Sequence, residues 1–333
     1  LAASRANLCF FILYILCFCI YLLRFISVRK PKLERAMLLL TAGFILSIWT
    51  VSLSMMKPLF GTVFLFYCGV FLLMYLYRLA PCKFSAFVRV AIQMSLLSYW
   101  YPDTFEFNRF FPNLDHVFAI TEQFIFNGQP AIWFCHTFPH LLVSEAFNMG
   151  YFFYYPMMLI VTLFYFIYKF EWFEKMSFVL VTSFFIYYLI YIFVPVAGPQ
   201  FYFPAIGFDN VSKGIFPAIG DYFNNNQELL PGPGYQHGFF YSLVEGSQQV
   251  GERPTAAFPS SHVGISTIIM IMAYRVNKKL CCFLAPFYVL LCCATVYIQA
   301  HYLIDVIAGW VSAVCIYYCF STGEFSCRNL FGK

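Results

Sequence analysis

Apolar windows about 20 residues long recur along this chain, and no other feature so limits what it can fold into. A helix needs about 20 apolar residues to cross the ~30 Å hydrocarbon layer of a bilayer. Windows of roughly that length lie at 8–27, 37–56, 59–79, 150–169, 177–197, 260–275, 281–299 and 302–320. Composition agrees. The 333 residues are 62% hydrophobic and 11% charged, with mean hydropathy +0.74, whereas the apolar share of a soluble globular domain is nearer half. The chain therefore reads as an all-α polytopic membrane protein.

A ninth window, Ser85 to Tyr101, contains Arg89 and Gln93, and hydropathy leaves it undecided. Charge bias decides it, because cytoplasmic loops collect Lys and Arg. If 85–101 spans, 15 of the 20 basic residues fall on the cytoplasmic side, and only Arg5, Lys57, Arg109, Lys213 and Arg253 lie opposite. If it does not, the cluster Arg29 to Arg35 moves to the outer side, against that preference. Nine spans follow, arranged as N-terminal transmembrane helices over 1–84, a six-helix core over 85–320 and a cytoplasmic tail over 321–333. Two long polar segments, 102–149 and 198–258, then face away from the cytoplasm. The first mixes Phe105, Phe107, Phe118 and Trp133 with polar residues, which suggests interfacial helices at headgroup depth. The second holds Asn224-Asn225-Asn226 and Pro231-Gly232-Pro233-Gly234 and reads as loop or short helix.

Two polar islands interrupt the apolar C-terminal third. One is Ala257-Phe258-Pro259-Ser260-Ser261-His262-Val263-Gly264. The other is His301-Tyr302-Leu303-Ile304-Asp305-Val306-Ile307-Ala308-Gly309. A hairpin of the two intervening spans brings both islands to one membrane face. Ionisable residues near lipid are costly and usually functional. His301 and Asp305 are four apart, so a helix running through both stacks them on one face. A carboxylate bonded to one imidazole nitrogen would fix the tautomer and leave the other nitrogen basic. His262 follows Pro259-Ser260-Ser261 at a helix start, whose unpaired N–H groups and partial positive charge suit a phosphate. The serines could add donors, or could simply cap the helix.

These islands resemble the second and third signature motifs of the type 2 phosphatidic acid phosphatase superfamily, and more narrowly those of its inositol phosphorylceramide synthase branch. Val194-Pro195-Val196-Ala197-Gly198-Pro199 sits where that branch has a proline-rich first motif, so the resemblance covers about 85–320. It implies that His301 attacks phosphorus to form a phosphohistidine, that Asp305 orients it, and that His262 exchanges protons with the leaving and accepting alcohols. Ser260 and Ser261, with Arg253 as a further candidate, would hold the phosphoryl oxygens.

The departures from the broad phosphatase pattern carry information. Ala294-Thr295 stands where Ser-Arg is expected, and Arg253-Pro254 lies too close to Pro259 to serve as an ordinary first motif. A phosphomonoester carries nearly two negative charges and a diester one, so fewer cations suit a diester donor. Headgroup transfer from a phosphatidylinositol-like donor to a ceramide-like lipid alcohol, releasing diacylglycerol, is favoured. Hydrolysis of a phosphatidyl phosphate or polyprenyl diphosphate is the alternative, and non-catalytic lipid transport is the third possibility. No cofactor or metal is called for, since no carboxylate cage or His/Cys cluster is evident. His136 and His140 are separated by Pro139, which argues against a regular helical metal pair. Most of the 13 cysteines fall in apolar runs as packing residues. The net charge of +5 is spread over span ends and implies no nucleic-acid partner.

Overall fold

The computed structural model describes residues 82–322; the windows at 8–27, 37–56 and 59–79 and the tail beyond Thr322 lie outside them. Every regular element among the described residues is helical. In order these are α1 (Lys83–Asn108), α2 (Asp115–Phe126), α3 (Pro130–Thr137), α4 (Leu141–Phe152), α5 (Tyr154–Tyr168) and α6 (Phe170–Phe193). There follow α7 (Pro199–Ile206), α8 (Phe208–Ser212), a 3-10 turn (Tyr222–Asn224), α9 (Phe239–Gly251), α10 (Ser261–Val276), α11 (Lys278–Tyr297) and α12 (Leu303–Thr322). The chain forms two compact units, and the larger, Leu97–Phe320, contains the whole of the site described below.

Three helices among the described residues are long and apolar enough to cross a membrane: α6, α11 and α12 over Leu303–Ser321. A fourth span exists if α4 and α5, bent by 43° about Phe153, cross as one. Helix α10 is apolar but has only 16 residues. Helix α1 runs unbroken through the 85–101 window, yet it is not among the helices apolar enough to qualify. The window expected at 177–197 begins earlier and ends at Phe193, because Pro195 disfavours helical geometry in the residue before it. Residues 102–149 do form helices, and 198–258 holds short helices together with the 13-residue α9.

Helix α10 is the hub, packing against α5, α6 and α11, while α11 also lies on α3 and α4, and α4 carries α9. The apolar window of α6 is 78% buried, with Tyr187, Tyr191 and Ile192 fully enclosed, as befits a helix that is hydrophobic all round. In α12 only 33% of the window is buried, which leaves Val311, Val314 and Tyr318 on the outside. Helices packed in lipid gain little from the hydrophobic effect and depend on close approach at small residues. Gly309 of α12 supplies one: a Cβ there would stand 2.7 Å from the Ser260 carbonyl and 3.3 Å from Val263 Cβ. This contact seats α12 on the first turn of α10 and brings the two polar islands together.

Candidate active site

Both islands lie at helix starts that their own residues cap. Ser260 is the N-cap of α10, its Oγ accepting from Val263 N at 3.3 Å, and its backbone N–H donates to the Asp305 carbonyl at 3.0 Å. At the other island the helix begins at Leu303, so His301 precedes α12 instead of riding on it. It sits in a turn where Gln299 has φ 63° and the His301 N–H donates to the Thr295 carbonyl at 3.0 Å. Gly198, at φ 91°, passes so close behind this turn that a Cβ would meet the Ala300 carbonyl at 2.5 Å. Glycine alone tolerates both the backbone angle and that approach.

The imidazole of His301 is 3% exposed, and its Nδ1 donates to the Ala257 carbonyl at 2.7 Å. This corrects one expectation. Asp305 Oδ2 is 3.8 Å from that nitrogen, beyond hydrogen-bonding range, and accepts instead from Tyr302 N at 2.8 Å. With the helix starting at Leu303, Asp305 is its third residue, and its carboxylate reaches back to the capping residue as in a capping box. The backbone of the first island thus fixes the His301 tautomer. A carbonyl can only accept, so in the neutral ring Nδ1 carries the proton and the lone pair lies on Nε2. Burial pushes the His301 pKa down to about 4, opposed by the Ala257 carbonyl and the Glu252 charge, so the ring is neutral at neutral pH.

The ring of His262 lies 5.8 Å from that of His301, centroid to centroid, inclined at 63°. Tyr151 stacks on it at 4.7 Å and Tyr154 packs against it at the same distance. Those tyrosines flank the α4–α5 break, so the bend at Phe153 aims both at one ring. The His262 Nδ1 is buried and has no hydrogen-bond partner among the described residues.

The remaining sequence candidates are placed differently. Ser260 is fully buried in its capping role, and the N–H of Ser261 is taken by Tyr191 Oη at 3.1 Å. Several first-turn donors of α10 therefore already have protein partners. Arg253 is half-buried, its guanidinium donating to the Glu252 carbonyl at 2.9 Å. Helix α3 ends at Thr137, and exposed His136 and His140 fall on either side of the break at Pro139.

Three carboxylates at the site escaped the sequence reading. Asp115, 0% exposed, accepts from Ala197 N at 2.7 Å, Gly198 N at 2.8 Å, Asn113 Nδ2 at 2.5 Å and Tyr302 Oη at 3.1 Å. It ties α2 to the turn after α6 and to the neighbour of His301. Glu122, also fully buried, accepts from Ile304 N at 3.1 Å and so caps α12 from outside; burial pushes its pKa up to about 8. Glu252, just after α9, accepts from Tyr101 Oη at 2.7 Å and is raised by burial. Its charge also acts on His301. Asn113-x-Asp115 before an apolar-periodic stretch is a legible helix-start signal. Glu122 and Glu252 lie alone in mixed segments and offered none.

Two buried imidazoles set edge to face, one with a free lone pair, can attack a phosphorus atom from one side and move a proton on the other. A sequence-family profile described as the PAP2 superfamily matches residues 117–319, which include both islands and two of the three newly found carboxylates, Glu122 and Glu252. No curated protein and no solved structure matches the chain. The matched region is more than half of the 333 residues and its helices fit an integral membrane protein, so the chain belongs to the PAP2 superfamily, with the phosphatase- or phosphotransferase-type lipid chemistry that membership supports.

Proposed function

We propose that the protein moves a phosphoinositol-type headgroup from a glycerophospholipid to ceramide or a related lipid alcohol. The observation that carries this reading is the His262–His301 pair, 5.8 Å apart, with Nδ1 of His301 held by a backbone carbonyl. In the first half-reaction Nε2 of His301 bonds to the diester phosphorus as the P–O bond to diacylglycerol breaks, and His262 gives the departing oxygen its proton. In the second, the lipid alcohol attacks the phosphohistidine, its proton passes to His262 and the P–N bond breaks. Diacylglycerol leaves with one proton and the acceptor returns one, so the balance closes. Bound phosphodiester favours the protonated form of His262, since a nearby negative charge stabilises imidazolium. Asp305 and Asp115 act at one remove, by holding the turn that presents His301.

The diester preference has a local reason. Thr295, at the position where the broad pattern has arginine, is 0% exposed and bonds to the Cys292 carbonyl at 2.9 Å. Its own carbonyl receives the His301 N–H, so this position serves the backbone of the turn. Ser260, Ser261 and Arg253 remain the proposed contacts to the phosphoryl oxygens. For the whole chain the proposed layout is an inositol phosphorylceramide synthase-like arrangement. Its six-helix core over 85–320 follows N-terminal transmembrane helices over 1–84 and precedes a cytoplasmic tail. Segments 102–149 and 198–258 and the site face away from the cytoplasm, in keeping with the charge bias.

The test is a reconstituted assay with labelled phosphatidylinositol and ceramide in vesicles. A new phosphosphingolipid and diacylglycerol are expected, and both should disappear in His301→Ala. Release of free phosphate or inositol phosphate without a new lipid would show water to be the acceptor and replace transfer by hydrolysis. Unchanged turnover in His301→Ala would overturn the mechanism.

A further inference from the structure

A cavity of about 480 Å³ lies between α3, α7, α9 and the Pro231–Gly234 loop, with Gln299 of the turn that leads into His301 in its wall. Four glutamines line it, and three of them, from separate elements, are buried: Gln200 of α7, Gln248 of α9 and Gln299 of the turn before His301, whereas Gln236 is exposed. Those three are at least nine-tenths buried, with 9%, 6% and 9% exposure respectively. Their amides use little of their capacity on the protein. Gln248 Nε2 donates to Gln200 Oε1 at 3.3 Å, and Gln299 Nε2 donates to the Cys135 sulfur, a weak acceptor, at 3.3 Å. The other amide atoms, Gln200 Nε2, Gln248 Oε1 and Gln299 Oε1, make no side-chain hydrogen bond among the described residues. Buried amides are almost always satisfied, so three with capacity to spare around one cavity mark a place for a hydrogen-bonding ligand.

The lining also sets the ligand's charge. It contains no carboxylate, lysine or arginine; its two rings are Phe208 and the imidazole of His136, an exposed residue, with Ile132, Ile298, Pro204 and Leu230 as apolar walls. An ammonium group would want a carboxylate or an aromatic cage. An anion would want a cation. Amides that donate and accept, set against apolar walls, match a ring that carries hydroxyls on its edges and C–H on its faces. The cavity is also held rigidly. Glu145 caps α9 through Phe240 N and Tyr241 N, both at 2.9 Å, and Ser144 Oγ accepts from Tyr235 N at 3.0 Å to pin the loop. Gln200 N donates to the Gln299 carbonyl at 2.8 Å, fixing the wall two residues from His301, within ~7 Å along the backbone.

We propose that this cavity receives the uncharged, polyhydroxylated headgroup of the donor lipid, with Gln200, Gln248 and Gln299 pairing with its hydroxyls. The assignment rests on the headgroup-transfer reading and names the subsite that gives it specificity. Its test uses binding in His301→Ala protein, where turnover cannot intervene. Dioctanoyl phosphatidylinositol is compared with dioctanoyl phosphatidic acid, which lacks the headgroup. Gln248→Leu and Gln299→Leu should each weaken phosphatidylinositol binding about tenfold, ~1.4 kcal/mol, and leave phosphatidic acid within about twofold. Equal weakening of both lipids, or of neither, would overturn the assignment. Free myo-inositol should bind far more weakly than the lipid; equal affinity would make the cavity a site for free polyols and refute the headgroup role.

Gln248→Glu keeps the size of the side chain and adds a negative charge, so it covers the case in which the leucine variants fail to fold. It should shift preference towards dioctanoyl phosphatidylethanolamine, and an unchanged preference would count against the proposal. A parent protein that binds phosphatidylinositol through these glutamines but transfers nothing would retain the subsite and discard the transfer reading. Transfer with unaltered KM in both leucine variants would do the reverse.

Discussion

Replacing Asp115 with alanine should cost more than removing any other single polar group described here. Its carboxylate accepts from two backbone amides, Ala197 N and Gly198 N, from the Asn113 side chain and from Tyr302 Oη, and nothing at the position is exposed. In Asp115→Ala two backbone N–H groups and a phenol are left without a partner in an enclosed site, and each such loss costs about 1–3 kcal/mol. Relaxation and water entry will recover part of that, so about 3–5 kcal/mol is the expected total, well beyond the typical point mutant. Asp115→Asn keeps one acceptor oxygen but turns donors towards a donor, and should lose roughly half as much. Titration with a denaturing detergent, followed by tryptophan fluorescence, reads the difference. The turn at Gly198 backs directly onto Ala300, so headgroup transfer should fall alongside stability. A loss below about 1 kcal/mol in Asp115→Ala would refute the view that this carboxylate ties α2, the post-α6 turn and Tyr302 together.

Glu122 should make stability depend on pH in the opposite sense to a carboxylate whose pKa is depressed by folding. Its pKa is about 8 in the fold against 4.5 ordinarily, so between those values the folded state holds a proton that the unfolded chain has released, and stability falls as pH rises across that window. Glu122→Gln should abolish that slope while still accepting from Ile304 N, whereas Glu122→Ala should cost about 1–3 kcal/mol; unfolding titrations at several pH values check both. His301, pushed down to about 4, should stay neutral through mildly acidic pH, so phosphohistidine trapped by rapid alkaline quench should not decline between pH 7 and pH 5. A decline centred near 6.5 would mean an unshifted imidazole. Gly309→Ala should place a methyl against the Ser260 carbonyl and push α12 off α10, costing about 1–3 kcal/mol and much of the transfer rate, as measured by unfolding and by the vesicle assay.

Much of this site was legible from one dimension. Pro259-Ser260-Ser261-His262 announces a capped helix start, and both islands sit at the ends of apolar runs, so bringing His262 and His301 together needed only a helical hairpin. The apolar windows likewise located α6, α10, α11 and α12 to within a few residues, apart from the earlier start of α6. The hydrogen bond to His301 was the part misread. Four-residue spacing argues for a side-chain pair only if the helix contains both residues, and α12 starts two residues after His301. A backbone carbonyl 44 positions away in sequence took the role assigned to Asp305.

Residue types and their local periodicity determined the membrane-embedded helical class and the capping Ser260 and singled out the two histidines as candidates, because each of these depends on neighbours within a turn or two of chain. The tertiary structure alone decided which carboxylates hold the site and where the three amides converge. Asp115, Glu122 and Glu252 come from segments that hydropathy treats as featureless, and Gln200, Gln248 and Gln299 come from three separate elements. Hydrogen bonds and cavities form between groups far apart in sequence, and their partners exist only once the helices have packed.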